Sequence, residues 1–267
     1  MITENLHTHT YRCKHATGDV ADYCQAAIDA GLTTLGMSDH TPLPDGRWLD
    51  VRMGVEELPD YMAAIDEARE RFPGLHVLRS MECEWAPEYV SFYEDVLLGE
   101  YQSDYLIGAV HFFPHQGSWE RAFGGPRTPE ILGSYTDYMI KTMASGLFAF
   151  QAHPDVFGNA YLKWDADAVV CAKAIIEAAV DLKLPLEVNA YGFRKPSVES
   201  EEGIRSGYPL VPFWEIAAEY DVTVVVNSDA HRPEDIVARV DDAYAIVEQY
   251  GLPLADLSAM GVGSAGS

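Results

Sequence analysis

Positive charge is scarce in this chain. Its 18 Lys and Arg face 42 Asp and Glu, giving a formal net charge of −24 over 267 residues. Such a surface repels a phosphate backbone, so a long nucleic-acid partner is not expected. Cysteine is scarce too. Cys13, Cys24, Cys83 and Cys171 are far apart and form no CxxC pair, which argues against a disulfide framework and fits reduced, packed thiols. There is no apolar run of about 18 residues and no charged-then-apolar leader, so neither a membrane span nor a secretory signal is expected, and the cytoplasm is the expected location. Repeats, low-complexity stretches and linkers are also lacking. A single domain over residues 1–260 is the expectation, with residues 261–267, rich in Gly, Ser and Ala, as a flexible tail.

What is present is an alternation of short apolar runs with amphipathic ones. Strands are predicted at residues 2–6, 34–38, 76–83, 104–110, 147–152, 186–190 and 222–227. Helices are predicted at 19–30, 56–72, 89–99, 129–145, 165–182, 212–220 and 233–250. Gly31 and Gly146 follow two of the helices as stop signals, and Thr128 precedes one as an N-cap. Seven strands alternating with helices predict a parallel sheet covered by helices, open or closed.

The histidines are distributed unevenly on that map. His7 and His9 end the first strand, two apart, and so share a face. His15 lies in the following loop. Asp39 and His40 end strand two, Glu82 and Glu84 strand three, His111 strand four, and His153 strand five. Asn189 ends strand six, with Arg194 and Lys195 beyond it, and Asp229 and His231 end strand seven. Seven of the nine histidines thus fall at or just past the carboxyl end of a strand, where closed α/β barrels build their active sites. So many imidazoles and carboxylates exceed what one transition-metal ion takes, and they point to two or three ions. Glu82 and Glu84 share a strand face, and spacing alone leaves either as the ligand. His76 starts a strand and is expected away from the site. Cys83 is expected to face away from it, and Cys13 to be a packed thiol.

The set His7-Thr8-His9, His15, Ser38-Asp39-His40, Glu82, Val110-His111, His153-Pro154 and Ser228-Asp229-Ala230-His231 resembles the PHP (polymerase and histidinol phosphatase) family of metal-dependent phosphoesterases. The resemblance spans residues 1 to about 250. It implies a distorted seven-stranded (β/α) barrel of parallel strands, with helices outside and three divalent ions (Zn, Fe, Mn or Co) at the C-terminal ends of the strands. It implies that His7, His9, Glu82 and Asp229 hold one ion, that Glu82 bridges to a second completed by His111 and His153, and that His15, His40 and His231 hold the third. The family usually has a Gly-any pair where Ser80-Met81 precedes Glu82 here. The loop Tyr191-Gly192-Phe193-Arg194-Lys195-Pro196 is similar to the phosphate-binding stretch of histidinol-phosphate phosphatases, although Asn189-Ala190-Tyr191-Gly192 stands for the more usual Asn-Thr-Ser-Gly.

The reaction so implied is hydrolysis of L-histidinol phosphate, a step of histidine biosynthesis. A hydroxide bridging two ions would attack phosphorus in line, with no covalent phospho-enzyme. The planar guanidinium of Arg194 suits a bidentate grip on phosphate, with Lys195 or Lys163 assisting. Asp229, Asp39 or a metal-bound water would protonate the leaving alkoxide, and His231 stands with Asp229 at the reacting end. Three other readings compete. One is a relative acting on nucleotides or other small phosphate esters. The second is a metal-dependent amidohydrolase, which would usually place a lysine where His111 stands. The third is a metal-binding protein without turnover. The sequence leaves the oligomeric state open.

Overall fold

The computed structural model describes residues 2–257. The proposed tail at 261–267 lies outside the described residues. Twelve strands and six α-helices follow in chain order: β1 (Glu4–Asn5), α1 (Val20–Asp29), β2 (Thr34–Met37), α2 (Leu58–Arg71), β3 (His76–Arg79), β4 (Glu82–Glu84), β5 (Ile107–Ala109), β6 (Phe112–His115), β7 (Ser118–Arg121), α3 (Pro129–Met143), β8 (Phe150–Gln151), α4 (Ala166–Leu182), β9 (Leu186–Asn189), β10 (Val198–Ser200), β11 (Gly203–Arg205), α5 (Val211–Ala217), β12 (Val224–Asn227) and α6 (Val240–Tyr250). All seven strands read from the sequence are there, as β1, β2, β3 with β4, β5, β8, β9 and β12. None of the described helices is long and apolar enough to cross a membrane.

The chain divides into two compact units. Among the described residues, one comprises 2–107, Asn227–Ala238 and 256–257. In it β1, β2 and β3 pair in parallel, Glu4 opposite Thr34 and Leu35 opposite Val77. The ladder continues past the formal strand ends. Thr8 bridges Ala230, His40 bridges Glu82, and the Ile107 amide donates to the Met81 carbonyl at 3.0 Å. These extensions carry the histidine-bearing segments in extended form beyond the sheet. Gly36 is required in β2, because a Cβ there would sit 1.8 Å from the Tyr105 hydroxyl. That hydroxyl donates to the Leu6 carbonyl and fixes the chain just before His7.

The second unit comprises Gly108–Val226 and Arg239–Ala255. Here β5, β8, β9 and β12 are successive neighbours, with β8 and β9 parallel. Helix α4 packs against α3 and α5 and has an Ala- and Ile-rich buried face: Ala168, Ala172, Ile175, Ile176 and Ala179. Two antiparallel hairpins, β6–β7 and β10–β11, were not read from the sequence. Both are short; β10–β11 is largely polar, and in β6–β7 the buried Phe112 and Phe113 are adjacent, so neither shows the apolar alternation that marks a half-buried strand.

Caps follow the sequence closely. Asp19 and Asp22 form a capping box on α1, and the Thr128 hydroxyl accepts from the Ile131 amide at the start of α3. Gly31 and Gly146 have positive φ, the left-handed conformation that glycine adopts without strain. Three expectations on extent need correction. Residues 92–100 wind as a π-helix. The third strand breaks at residues 80–81 into β3 and β4. The last helix begins at Val240 rather than at 233, because Arg239 is left-handed (φ 62°) and separates α6 from a 3-10 turn at Pro233–Asp235.

Candidate metal centre

The first unit brings seven of the proposed ligands together. Thr8 points into the sheet, its hydroxyl donating to the Gly36 carbonyl at 2.8 Å. By the two-residue alternation of an extended chain, His7 and His9 project to the other side. Their rings lie 5.1 Å apart between centroids. His7 Nε2 is 3.4 Å from Glu82 Oε1 and 3.7 Å from Asp229 Oδ1. His9 Nε2 is 3.5 Å from Glu82 Oε2 and 3.0 Å from Asp229 Oδ1. His40 Nδ1 approaches Glu82 Oε2 at 2.9 Å. The His9 ring packs against His40 at 4.4 Å and against His231 at 4.3 Å, and His15 completes the group 4.8 Å from His231.

Polar side chains hold this arrangement. Asn5 donates to Ser228 Oγ at 2.6 Å and to the Ile236 carbonyl at 3.0 Å, and its own Oδ1 accepts from the Ser228 amide. Asn227 Oδ1 accepts from the Leu6 amide at 2.7 Å. The two asparagines tie the segment before His7 to the segment before Asp229. Sequence reasoning passed them over. At Asn227 the available signal was an amide side chain ending an otherwise apolar strand, where burial demands hydrogen-bond partners; Asn5, next to Glu4, gave no such signal. Asp39 plays a supporting part. It accepts from the Thr10 and His40 amides at 3.0 and 2.9 Å and stands 3.6 Å from His9 Nδ1.

The donor set suits divalent cations. Four ligands about 2.1 Å from one tetrahedral ion lie ~3.4 Å from one another; the four imidazole-to-carboxylate separations here are 3.0–3.7 Å, with different Glu82 oxygens facing His7 and His9, and His7, His9 and Glu82 each offer a ligand atom within 4.8 Å of the others. Neither ring nitrogen of the fully buried His9 has a hydrogen bond of ordinary geometry. A buried polar atom so placed calls for another partner, and a cation among these carboxylates supplies one. A second set, His9, His40 and His231, also presents its nitrogens within 4.8 Å of one another. Cys13 is buried as expected, though its Sγ lies within 4.8 Å of ligand atoms of His15 and His231. Burial, then the Asp39 charge, push its thiol up, so it stays protonated and a poor ligand.

The titration of these groups reflects their packing. Burial lowers the His9 pKa, but Asp229 and Asp39 outweigh it and raise the value to about 9. Burial alone would raise Asp229, yet His7, His9 and His231 hold its carboxyl well below the usual range. His231 is held well below its ordinary value by burial and by the charge on His9, and His15 is lowered for the same reasons. His9 thus holds its proton more tightly than its neighbours His15 and His231 do.

Glu82 lies among the histidines. The carboxylate of Glu84, about 6.6 Å further along the strand direction, instead faces the buried Arg52 at 3.4 Å. Cys83 points away, its Sγ 2.9 Å from Thr41 Oγ1. His76 starts β3, half-buried.

The second unit holds His111 and His153, rings 4.8 Å apart. His153 is backbone-strained (φ 26°), as Asp229 is in the first unit (φ 50°). Such conformations cost about 1–3 kcal/mol each and persist only where the surroundings enforce them. At His153 the enforcing group is Glu187, a fully buried carboxylate that sequence reasoning missed. It accepts from the His153 amide at 3.2 Å and from Asn189 Nδ2 at 2.8 Å. An acidic residue inside the apolar run of β9 was its signal. Arg194 closes the turn after β9, with its guanidinium 4.8 Å from the Tyr191 ring centroid, and Lys195 Nζ lies 3.9 Å above the same ring. Lys163 is paired with Asp165 at 2.7 Å.

Known proteins resemble this chain in sequence and fold. The PHP domain model matches residues 5–190. A Deinococcus radiodurans protein named "Probable histidinol-phosphatase" is 36% identical over 260 residues, covering 92% of each chain. A Schizosaccharomyces pombe protein of the same name is 22% identical, covering 92% of this chain and 86% of its own. The structure of histidinol phosphate phosphatase from Lactococcus lactis, in complex with Zn, L-histidinol and phosphate, superposes with a TM-score of 0.72 at 16% identity, covering 97% of each chain. That likeness establishes a common α/β fold. With the domain match over most of the chain and the Deinococcus relative beside it, this chain belongs to the PHP family.

Proposed function

We propose that this chain is a metal-dependent phosphomonoesterase that hydrolyses L-histidinol phosphate to L-histidinol and phosphate. The observation that carries the reading is the packing of His7, His9, Glu82 and Asp229 at metal-ligand spacing in a chain 36% identical to a histidinol-phosphatase relative.

In this reading His7, His9, Glu82 and Asp229 hold one divalent ion, and His15, His40 and His231 hold another. His111 and His153, in the second unit, are ligands for a third. Bound ions supply positive charge for the phosphoryl oxygens and acidify water at neutral pH. The chain's own residues do the rest. Asp39 orients His9 from its Nδ1 side, the carboxylate–histidine arrangement that fixes a ligand's ring. Asn5 and Asn227 hold the backbone of the His7 and Asp229 segments in register. Glu187 keeps His153 in its strained conformation. Arg194, assisted by Lys195 and Lys163, attracts the phosphate dianion, which the net charge of −24 would otherwise repel. Asp229 is a candidate to return a proton to the leaving alkoxide. Imidazole-rich donor sets with carboxylates admit Zn, Fe, Mn or Co.

The test is phosphate release from L-histidinol phosphate against a panel of nucleotide monophosphates. The reading expects the histidinol ester to be preferred. Preference for nucleotides would replace it with another phosphoesterase specificity.

A further inference from the structure

The proposed ligands are not held alike. Most follow directly on a strand, but His15 sits in the loop between β1 and α1, after a 3-10 turn at Tyr11–Cys13. Much of the residue is exposed, and its ring turns inward, with Nε2 3.1 Å from His231 Nε2. A ligand on a loop binds a cation well only where the loop is already fixed, because ordering it at the moment of binding costs affinity.

The residue placed to fix this loop is Arg12, three positions before His15. Its side chain is only 3% exposed, and acids at the starts of two helices hold it at once. Nη1 donates to Asp19 Oδ1 at 2.5 Å, and Asp19 is the N-cap of α1. Nε and Nη2 both donate to Asp60 Oδ2, in the first turn of α2, at 3.1 and 2.6 Å. The fork of a guanidinium makes all three bonds together, which an ammonium does not. Lys14 adds a further tie, to Glu57 at 2.7 Å. Between these two anchored residues lies Cys13, whose carbonyl is 2.7 Å from His15 Nδ1 and accepts its proton. The peptide that orients the imidazole is thus flanked on both sides by ion-paired side chains. Lys14 itself is left-handed, with φ at 70°, a conformation that a free loop disfavours at a non-glycine residue. The side chains of Asp19 and Asp60 are 42% and 70% exposed, so water would hydrate both without Arg12. Such pairs add little to stability, and what they add here is position.

We propose that Arg12 is a positioning residue for His15. It clamps the turn to α1 and α2, sets the Cys13 carbonyl and through it the imidazole, and so raises the affinity for the ion assigned to His15, His40 and His231. The inference rests on the ligand assignments of the reading above. A rival path also leaves Arg12. Its guanidinium lies 5.7 Å from the Tyr61 ring centroid, and the Tyr61 hydroxyl accepts from the amide of Asp39, the carboxylate beside His9.

The test counts metal by elemental analysis of the full chain, dialysed against a series of buffered free Zn concentrations. R12Q, H15A, R12Q/H15A and D60N are compared with the wild type, each with its circular dichroism spectrum. R12Q should need about ten-fold or more free Zn to take up its last equivalent, the scale on which a group supporting a ligand acts, while the tighter equivalents load as in the wild type. D60N should shift the same equivalent in the same direction. R12Q/H15A should match H15A, because a residue acting through His15 has nothing left to position once the imidazole is gone. Wild-type loading in R12Q overturns the assignment. Weaker loading in R12Q/H15A than in H15A also overturns it, since Arg12 would then act through Tyr61 and Asp39 or on the fold. Where R12Q does not fold, D60N decides by the same shift or its absence. If H15A binds as much metal as the wild type, the assignment falls with its ion, and hydrolysis of L-histidinol phosphate, measured separately, still decides the phosphatase reading.

Discussion

The Nε2 atoms of His15 and His231 face each other across 3.1 Å. Each ring's Nδ1 lies beside a backbone carbonyl, Cys13 O at 2.7 Å and Asp229 O at 3.0 Å. A carbonyl only accepts, so each Nδ1 carries its ring's proton and the two Nε2 lone pairs are turned toward one another. Burial and the charge on His9 hold both rings neutral, which disfavours a shared proton. Two nitrogens each about 2.1 Å from one cation would lie ~3.0–3.4 Å apart, so a bound ion converts this repulsion into coordination.

Metal content checks that relation. His15→Ala and His231→Ala should each bind about one equivalent less metal than the wild type, by elemental analysis after dialysis, with an unchanged circular dichroism spectrum. Full metal content in both variants would remove these residues from the ligand set.

Glu82 and Glu84 should separate cleanly by readout. Glu82→Gln should lower turnover by about two orders of magnitude or more at saturating metal, since it weakens an electrostatic group at the reacting centre. Glu84→Ala leaves the buried Arg52 without the carboxylate 3.4 Å away and should cost about 3 kcal/mol of stability, read as a lower midpoint in urea, while folded enzyme keeps its activity. Activity lost in the second and kept in the first would reverse the assignment.

Metal uptake should release protons. With the His9 pKa raised from 6.5 to about 9 in the metal-free protein, His9 is protonated at pH 7.5 and must lose that proton to become a ligand. Calorimetric titrations in buffers of different ionisation enthalpy should show net proton release that declines as pH passes about 9. The same shift fixes a stability trend. The folded state holds the proton more tightly, so the His9 contribution is complete below about 6.5 and disappears as pH rises through about 9. Heat of binding independent of buffer would contradict a protonated His9.

The strand-end histidines were legible because two local rules coincide. Apolar runs mark parallel strands, and the chemistry gathers where those runs stop. His7, His9, His40, Asp229 and His231 needed nothing more. The choice between Glu82 and Glu84 was not legible, because a two-residue period gives both the same face; Arg52, far away in sequence terms, decides it. Glu187, Asn5 and Asn227 were hidden for a different reason. Each acts through hydrogen bonds to a segment that is remote in sequence or strained in backbone, and periodicity reports neither. The π-helical winding at residues 92–100 and the left-handed Arg239 were not legible either, because the first reads as an ordinary helical pattern and an arginine, unlike a glycine, does not signal a positive φ.

Arg194 is expected to act on binding more than on chemistry. Arg194→Ala should raise KM for phosphate monoesters about ten-fold while changing kcat much less, the signature of lost ground-state binding. Steady-state kinetics with p-nitrophenyl phosphate would show this, and an unchanged KM with an intact fold would remove Arg194 from the phosphate grip.

The central claim is that the histidine–carboxylate cluster loads divalent ions that make this chain a histidinol phosphatase. Phosphate release from L-histidinol phosphate, followed before chelation, after exhaustive chelation and after adding back Mn or Zn, tests it most directly. The account predicts turnover that disappears with the metal and returns with it, in the wild type and not in Asp229→Ala. Turnover unaffected by chelation, or equal in Asp229→Ala, would contradict it.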